Sequence, residues 1–121
     1  MYANPYSDPT PHQNPRDVEY SAFARITAAL KASKDGPFAA IAEALHANRR
    51  LWDIIAGDVS QPENGLPKPL RAQLFYLSEF SRVHGAKVLK GEATVDALID
   101  VNTAVMRGLR AAQPAMDRDV A

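Results

Sequence analysis

LRAQLFYLSEFSRVHGAKVL, residues Leu70 to Leu89, decides how the rest of the chain is read. It is long, free of glycine until Gly85, and apolar over most of its circumference. At about 100° per residue, Leu70, Leu74, Leu77, Ser81, His84 and Val88 fall on one line, and Gln73, Tyr76, Phe80 and Val83 fill the adjoining sector. Arg71, Glu79, Arg82 and Lys90 make a narrow polar face. A helix with so wide an apolar arc needs neighbours on more than one side. It is therefore expected to be the central and most buried helix of the fold.

Upstream, Asn14-Pro15-Arg16-Asp17 has the marks of a helix start: a capping residue, a proline suited to the first helical position, and an acid in the first turn. The first helix should run to about Lys34, with a narrow stripe of Phe23, Ile26 and Leu30, and break at Asp35-Gly36. Pro37 opens the second, where Phe38, Ile41, Ala42, Leu45, Trp52, Ile55 and Val59 recur at helical spacing. Asn48 lies inside that apolar arc and Arg49 at its edge. Buried polar groups need partners.

The stretch Gln61 to Pro67, with two prolines and Asn64-Gly65, is the clearest loop. Pro67 or Pro69 then opens the helix around Leu70, and Gly91 closes it after Lys87 and Lys90. Thr94 is placed to cap a last helix whose broad face holds Val95, Leu98, Ile99, Val105, Met106 and Leu109. Asn102 sits in the middle of that face, and Pro114 is the expected end. Helices are thus expected near 15–34, 37–58, 68–90 and 94–112. The fold class is all-α: a small four-helix bundle-like single domain (15–112), preceded by an extended Pro-rich arm (1–14) and followed by a flexible tail (113–121). No sheet is expected.

At 121 residues the chain has the length of one domain. Its 14 Lys and Arg balance 14 Asp and Glu, so no net field recruits nucleic acid or an anionic membrane. There is no cysteine, hence no disulfide framework and no thiolate chemistry. Residues 1–10 lack a basic start and an apolar run, and no stretch approaches the roughly 18 apolar residues of a membrane span, so a cytoplasmic protein is expected.

For chemistry the residues offer little. His12, His46 and His84 have no metal-ligand spacing, and His84, on the apolar line, is expected to be a satisfied core or boundary histidine. The six glycines form neither G-x-G-x-x-G nor a P-loop. Asp96 and Asp100 are acids at a helix start. We expect no enzyme, no cofactor and no metal. Three features remain. Asn48 and Asn102 either bond within the core and set its register or line a groove that a partner fills. Phe75, among Arg71, Glu79 and Arg82, is either covered by Tyr2 or Tyr6 of the arm or is an exposed contact. Arg49-Arg50 beside Trp52 pairs residue types common at binding hot spots.

Taken together, Asn48-Arg49-Arg50-Leu51-Trp52, the run Leu66-Pro67 to Leu70-Arg71-Ala72-Gln73, and Asn102 followed by Val105-Met106-Arg107-Gly108-Leu109 resemble the FlaF family of bacterial flagellar biosynthesis regulators. YSAFARIT (Tyr20 to Thr27) precedes them as the family would have it. The resemblance implies a flagellin-binding export chaperone and regulator of flagellin synthesis and secretion, working beside the FlbT regulator. Its binding mode would be a helical surface that takes an amphipathic flagellin segment. Candidate partner contacts are Asn48, Arg49, Trp52, Arg71, Phe75, Asn102 and Arg107. The alternative is a post-transcriptional regulator contacting messenger RNA or FlbT; zero net charge and few stacking aromatics count against direct RNA contact.

Overall fold

A computed structural model describes the backbone of residues 15–120 and the side chains of residues 20–108. It has four helices in sequence: α1 (Pro15–Ser33), α2 (Phe38–Val59), α3 (Lys68–Leu89) and α4 (Asp96–Val120). No strand occurs among the described residues. The Asn14 cap and the arm over Phe75 lie outside them.

The ends form as local chemistry dictates. α1 stops where Ser33 Oγ donates to Leu30 O (2.9 Å) and Gly36 N donates to Ser33 O (2.9 Å). Pro37, extended at φ −68° and ψ 159°, stands before α2, and Pro67 before α3. The loop between them is tied by Asn64, whose Nδ2 donates to Asp58 O (3.2 Å) and Oδ2 (3.1 Å) and whose Oδ1 accepts from Leu66 N (3.0 Å). Gly91, at φ 77°, closes α3: its N–H donates to Val88 O (3.0 Å), and Glu92 N donates to Lys87 O (2.9 Å). Those two bonds define the left-handed helix cap that a residue with a Cβ adopts only under strain. Thr94 serves α4, accepting from Asp96 N at 3.4 Å.

The α4 end departs from expectation. The helix runs to Val120 and does not stop at Pro114. A proline removes one N–H and crowds one preceding carbonyl, a local penalty that a helix can carry without terminating.

The helices pack in a ring, each with two neighbours: α2 lies along α1 and α3, α1 also packs on α4, and α3 meets α4 lightly. The core falls into two clusters. One joins Leu30, Leu45, Val88, Val95 and Leu98, with Ile41 and Ile99 against it. The other joins Phe23, Ile26, Leu51 and Trp52, with Leu74, Leu77, Val101, Val105 and Met106 against it. Phe23 meets Trp52 edge to face, centroids 5.5 Å apart at 77°, a geometry that adds to the area both rings bury.

The expectation that α3 is the most buried helix is wrong. Its only buried residues are Ser78, Ser81 and Val88. The line of Leu74, Leu77, Ser81, His84 and Val88 does face inward, but Leu70 is 40% exposed, and in the adjoining sector Gln73, Tyr76 and Val83 face outward. The physical reason is an apolar arc wider than its two neighbours cover. α3 lies along α2, meets α4 only lightly and does not pack on α1. Apolar periodicity counts side chains and does not supply helices to cover them.

Candidate functional site

The conspicuous polar residues of the apolar arcs meet in the interior. Asn102 Nδ2 donates to Asn48 Oδ1 at 2.8 Å, and Trp52 Nε1 donates to Asn102 Oδ1 at 2.9 Å. All three are buried, at 2%, 1% and 2% exposure for Asn48, Asn102 and Trp52. Each of these contacts spans α2 and α4, and the asparagines lie between the two apolar clusters along both helices. An amide buried there has its bonds only if the two helices hold one register, so the pair selects that register. Of the two sequence readings, core structure is the one this geometry supports. In this conformation these side chains present nothing to a partner.

Two further polar residues sit at the same boundary. Thr27, between Ile26 and Leu30 on α1, and Ser81, between Leu77 and Val88 on α3, have buried hydroxyls without a hydrogen-bond partner. Each helix therefore contributes one polar side chain where the clusters divide.

The charged candidates are scattered. Arg71 Nε donates to Val59 O at 3.3 Å, satisfying a carbonyl in the last turn of α2. Arg49 lies on the surface with Asp53 at 3.7 Å, one turn on, and Arg107 is exposed near the end of the described side chains. Phe75 is 45% exposed, beside the Arg82–Glu79 pair at 2.9 Å. The structure thus does not gather the predicted contacts into one patch: Asn48, Trp52 and Asn102 are core, Arg71 closes a helix, and Arg49, Phe75 and Arg107 lie apart on the surface.

What the sequence reading missed is the outward edge of α3. Tyr76, Phe80, Val83 and Lys87 recur at the spacing of one helical stripe, with Tyr76 67% and Val83 46% exposed and Phe80 half-buried. Phe80 stacks on His84 (5.4 Å, 20°), and His84 Nε2 is 2.8 Å from Thr94 O in the α3–α4 turn. His84 is the boundary histidine expected, and it marks the flank of α3 that faces α4. Along that flank Leu74 and Leu77 on α3, and Val101 and Val105 on α4, are only partly buried although they pack on the Trp52 cluster. Both lips of the α3–α4 seam are apolar and unfinished. The sequence carries this signal as an apolar arc wider than two neighbouring helices cover.

The bundle end that holds the α1–α2 and α3–α4 turns is different. Lys34 Nζ meets Asp96 Oδ1 at 2.7 Å, joining α1 to α4. The hydrogen bond between them raises the Lys34 pKa and lowers that of Asp96. The pair is half exposed and structural. An open depression lies beside it, rimmed by Phe38 and Leu89 and floored by Ile41, Val88 and Val95. Phe38, expected in the α2 stripe, is the first residue of α2 and is 62% exposed on the rim of this depression. Among the described residues no group of three or more His, Asp or Glu is placed to hold a metal ion, and no helix is long and apolar enough to cross a membrane.

No curated protein and no solved structure matches the chain. One family model does, that of the flagellar protein FlaF, over residues 2–109. That span takes in all three sequence elements, the buried amide pair and the whole of α3, and leaves out the end of α4. The chain belongs to the FlaF family of flagellar proteins.

Proposed function

We propose that this flagellar protein is a flagellin-binding export chaperone and regulator, that it works by binding and not by catalysis, and that its docking surface is the α3 edge with the α3–α4 seam. One observation carries the reading. α3 is apolar around most of its circumference, yet Tyr76 and Val83 are exposed and the seam residues Leu74, Leu77, Val101 and Val105 are half-covered. An amphipathic helix laid along the seam would bury its apolar face against those lips, the helix-in-groove mode. Flagellin awaiting export suits the role through the amphipathic terminal segments that the family resemblance implies. Sequestering flagellin in the cytoplasm would also couple its synthesis to its secretion without any chemistry.

The test is co-purification of the chain with flagellin, with and without nuclease. Retention after nuclease supports direct protein binding; loss on nuclease treatment would point to the messenger-RNA reading. Tyr76→Ala should then weaken flagellin binding roughly thirtyfold, the effect of losing a hot-spot aromatic worth about 2 kcal/mol. An unchanged affinity for this variant would remove the α3 edge from the proposal.

A further inference from the structure

We infer that α3 is a detachable strap: its N-terminal half opens from the body as a unit, pivoting on its C-terminal end, while α1, α2 and α4 stay assembled. The bulkiest wholly buried side chains among the described residues belong to α1 (Phe23, Leu30), α2 (Leu51, Trp52) and α4 (Leu98, Asn102); α3 contributes none. From Lys68 to Leu77 no residue of α3 is buried. The first two buried ones, Ser78 and Ser81, supply no apolar anchor: Ser78 Oγ donates to Phe75 O of its own helix (2.7 Å), and Ser81 Oγ is buried with no partner at all. A buried hydroxyl without a partner weakens the seat it occupies. The buried amide network, by contrast, joins α2 directly to α4 and needs nothing from α3.

The two ends of α3 are held unequally. At its C-terminal end Val88 is buried in the Leu30–Leu98 cluster, a Cβ at Gly85 would come within van der Waals distance of Leu45, and His84 Nε2 meets Thr94 O at 2.8 Å. Its N-terminal half is held by Leu74 and Leu77, only partly buried against the Trp52 cluster, and by Arg71 Nε donating to Val59 O at 3.3 Å. A segment with few buried apolar contacts and one firmly seated end is where sub-global opening occurs. Opening would widen the α3–α4 seam over Trp52. It is a property of the free chain, so it stands or falls separately from the identity of any partner.

Native-state amide hydrogen exchange on the full chain tests it. Amides of α3 from Leu74 to Ser81 should exchange about a hundredfold or more faster than those around Leu51 and Trp52, with a much weaker dependence on low denaturant. Leu51→Ala then separates the strap from the body. It should lower protection in α2 by about thirtyfold or more and that of α3 by far less, since α3 reaches the Leu51 cluster only through the partly buried Leu74 and Leu77. Ile26→Val, a milder truncation in the same cluster, serves if Leu51→Ala does not fold. Equal protection in α2 and α3, or a parallel fall in both for either variant, would show one cooperative unit and overturn the inference.

Discussion

The core where side chains of α2 and α4 meet and the α3 edge are both built from apolar arcs, and they have opposite fates. In the first, an asparagine from each helix is locked into a chain of hydrogen bonds with Trp52, and the bulky side chains around it are wholly buried. In the second, a helix with a wider apolar arc leaves Tyr76, Phe75 and Val83 in solvent and buries two serines. The comparison teaches that polarity inside an arc marked the core of this protein, while surplus apolarity marked its surface. A buried amide is tolerated only where geometry is fully specified. Apolar surface beyond what neighbours cover is left for something else to cover.

The strongest attempt to break that contrast is Trp52→Ala. It deletes the edge-to-face contact with Phe23 and the donor to Asn102 Oδ1, so we expect a loss of about 3–5 kcal/mol in urea unfolding. A loss below about 1 kcal/mol would mean that the side chains shared by α2 and α4 are not the core. Next comes Asn102→Leu, which leaves Asn48 Oδ1 and Trp52 Nε1 without partners. The expected loss is about 2 kcal/mol, and adding Asn48→Leu should cost less than the sum of the single changes. Additive losses would show that the two amides do not act as a pair.

On the other side of the comparison, Phe75→Ala and Tyr76→Ala should each change stability by no more than about 0.5 kcal/mol. Their effects on flagellin binding sharpen the surface, because the two side chains point to opposite flanks of α3. Tyr76→Ala should weaken binding by about 2 kcal/mol and Phe75→Ala by less; the reverse order would move the docking surface to the flank of Arg82 and Glu79. The smallest effect concerns the Lys34–Asp96 pair, which fastens α1 to α4. Asp96 has a lowered pKa, so its contribution is present above the unfolded carboxylate value and fades as pH falls through the folded one. Lys34 has a raised pKa, so its contribution is complete below the unfolded lysine value and is lost as pH rises through the folded one. Asp96→Asn should therefore flatten the acid limb of a stability–pH curve slightly and leave the fold intact, an exposed pair being worth little. An acid limb as steep as that of the unaltered chain would show that the pair carries none of the pH dependence.

Sequence alone determined the number of helices, their order and most of their ends, because prolines, Gly91 and apolar spacing act through neighbouring residues only. The helix starts and stops fell within about two residues of expectation except at α4, which continues past Pro114 to Val120. The line of α3 that faces inward was legible too, as were the two out-of-place asparagines. Tertiary structure decided what these features are for. Whether Asn48 and Asn102, 54 residues apart in sequence, met each other or a partner depended on the register of their two helices. Whether the apolar arc of α3 was core or surface depended on how much of it the two helices beside it covered, and that is a property of packing which no side-chain pattern within α3 encodes.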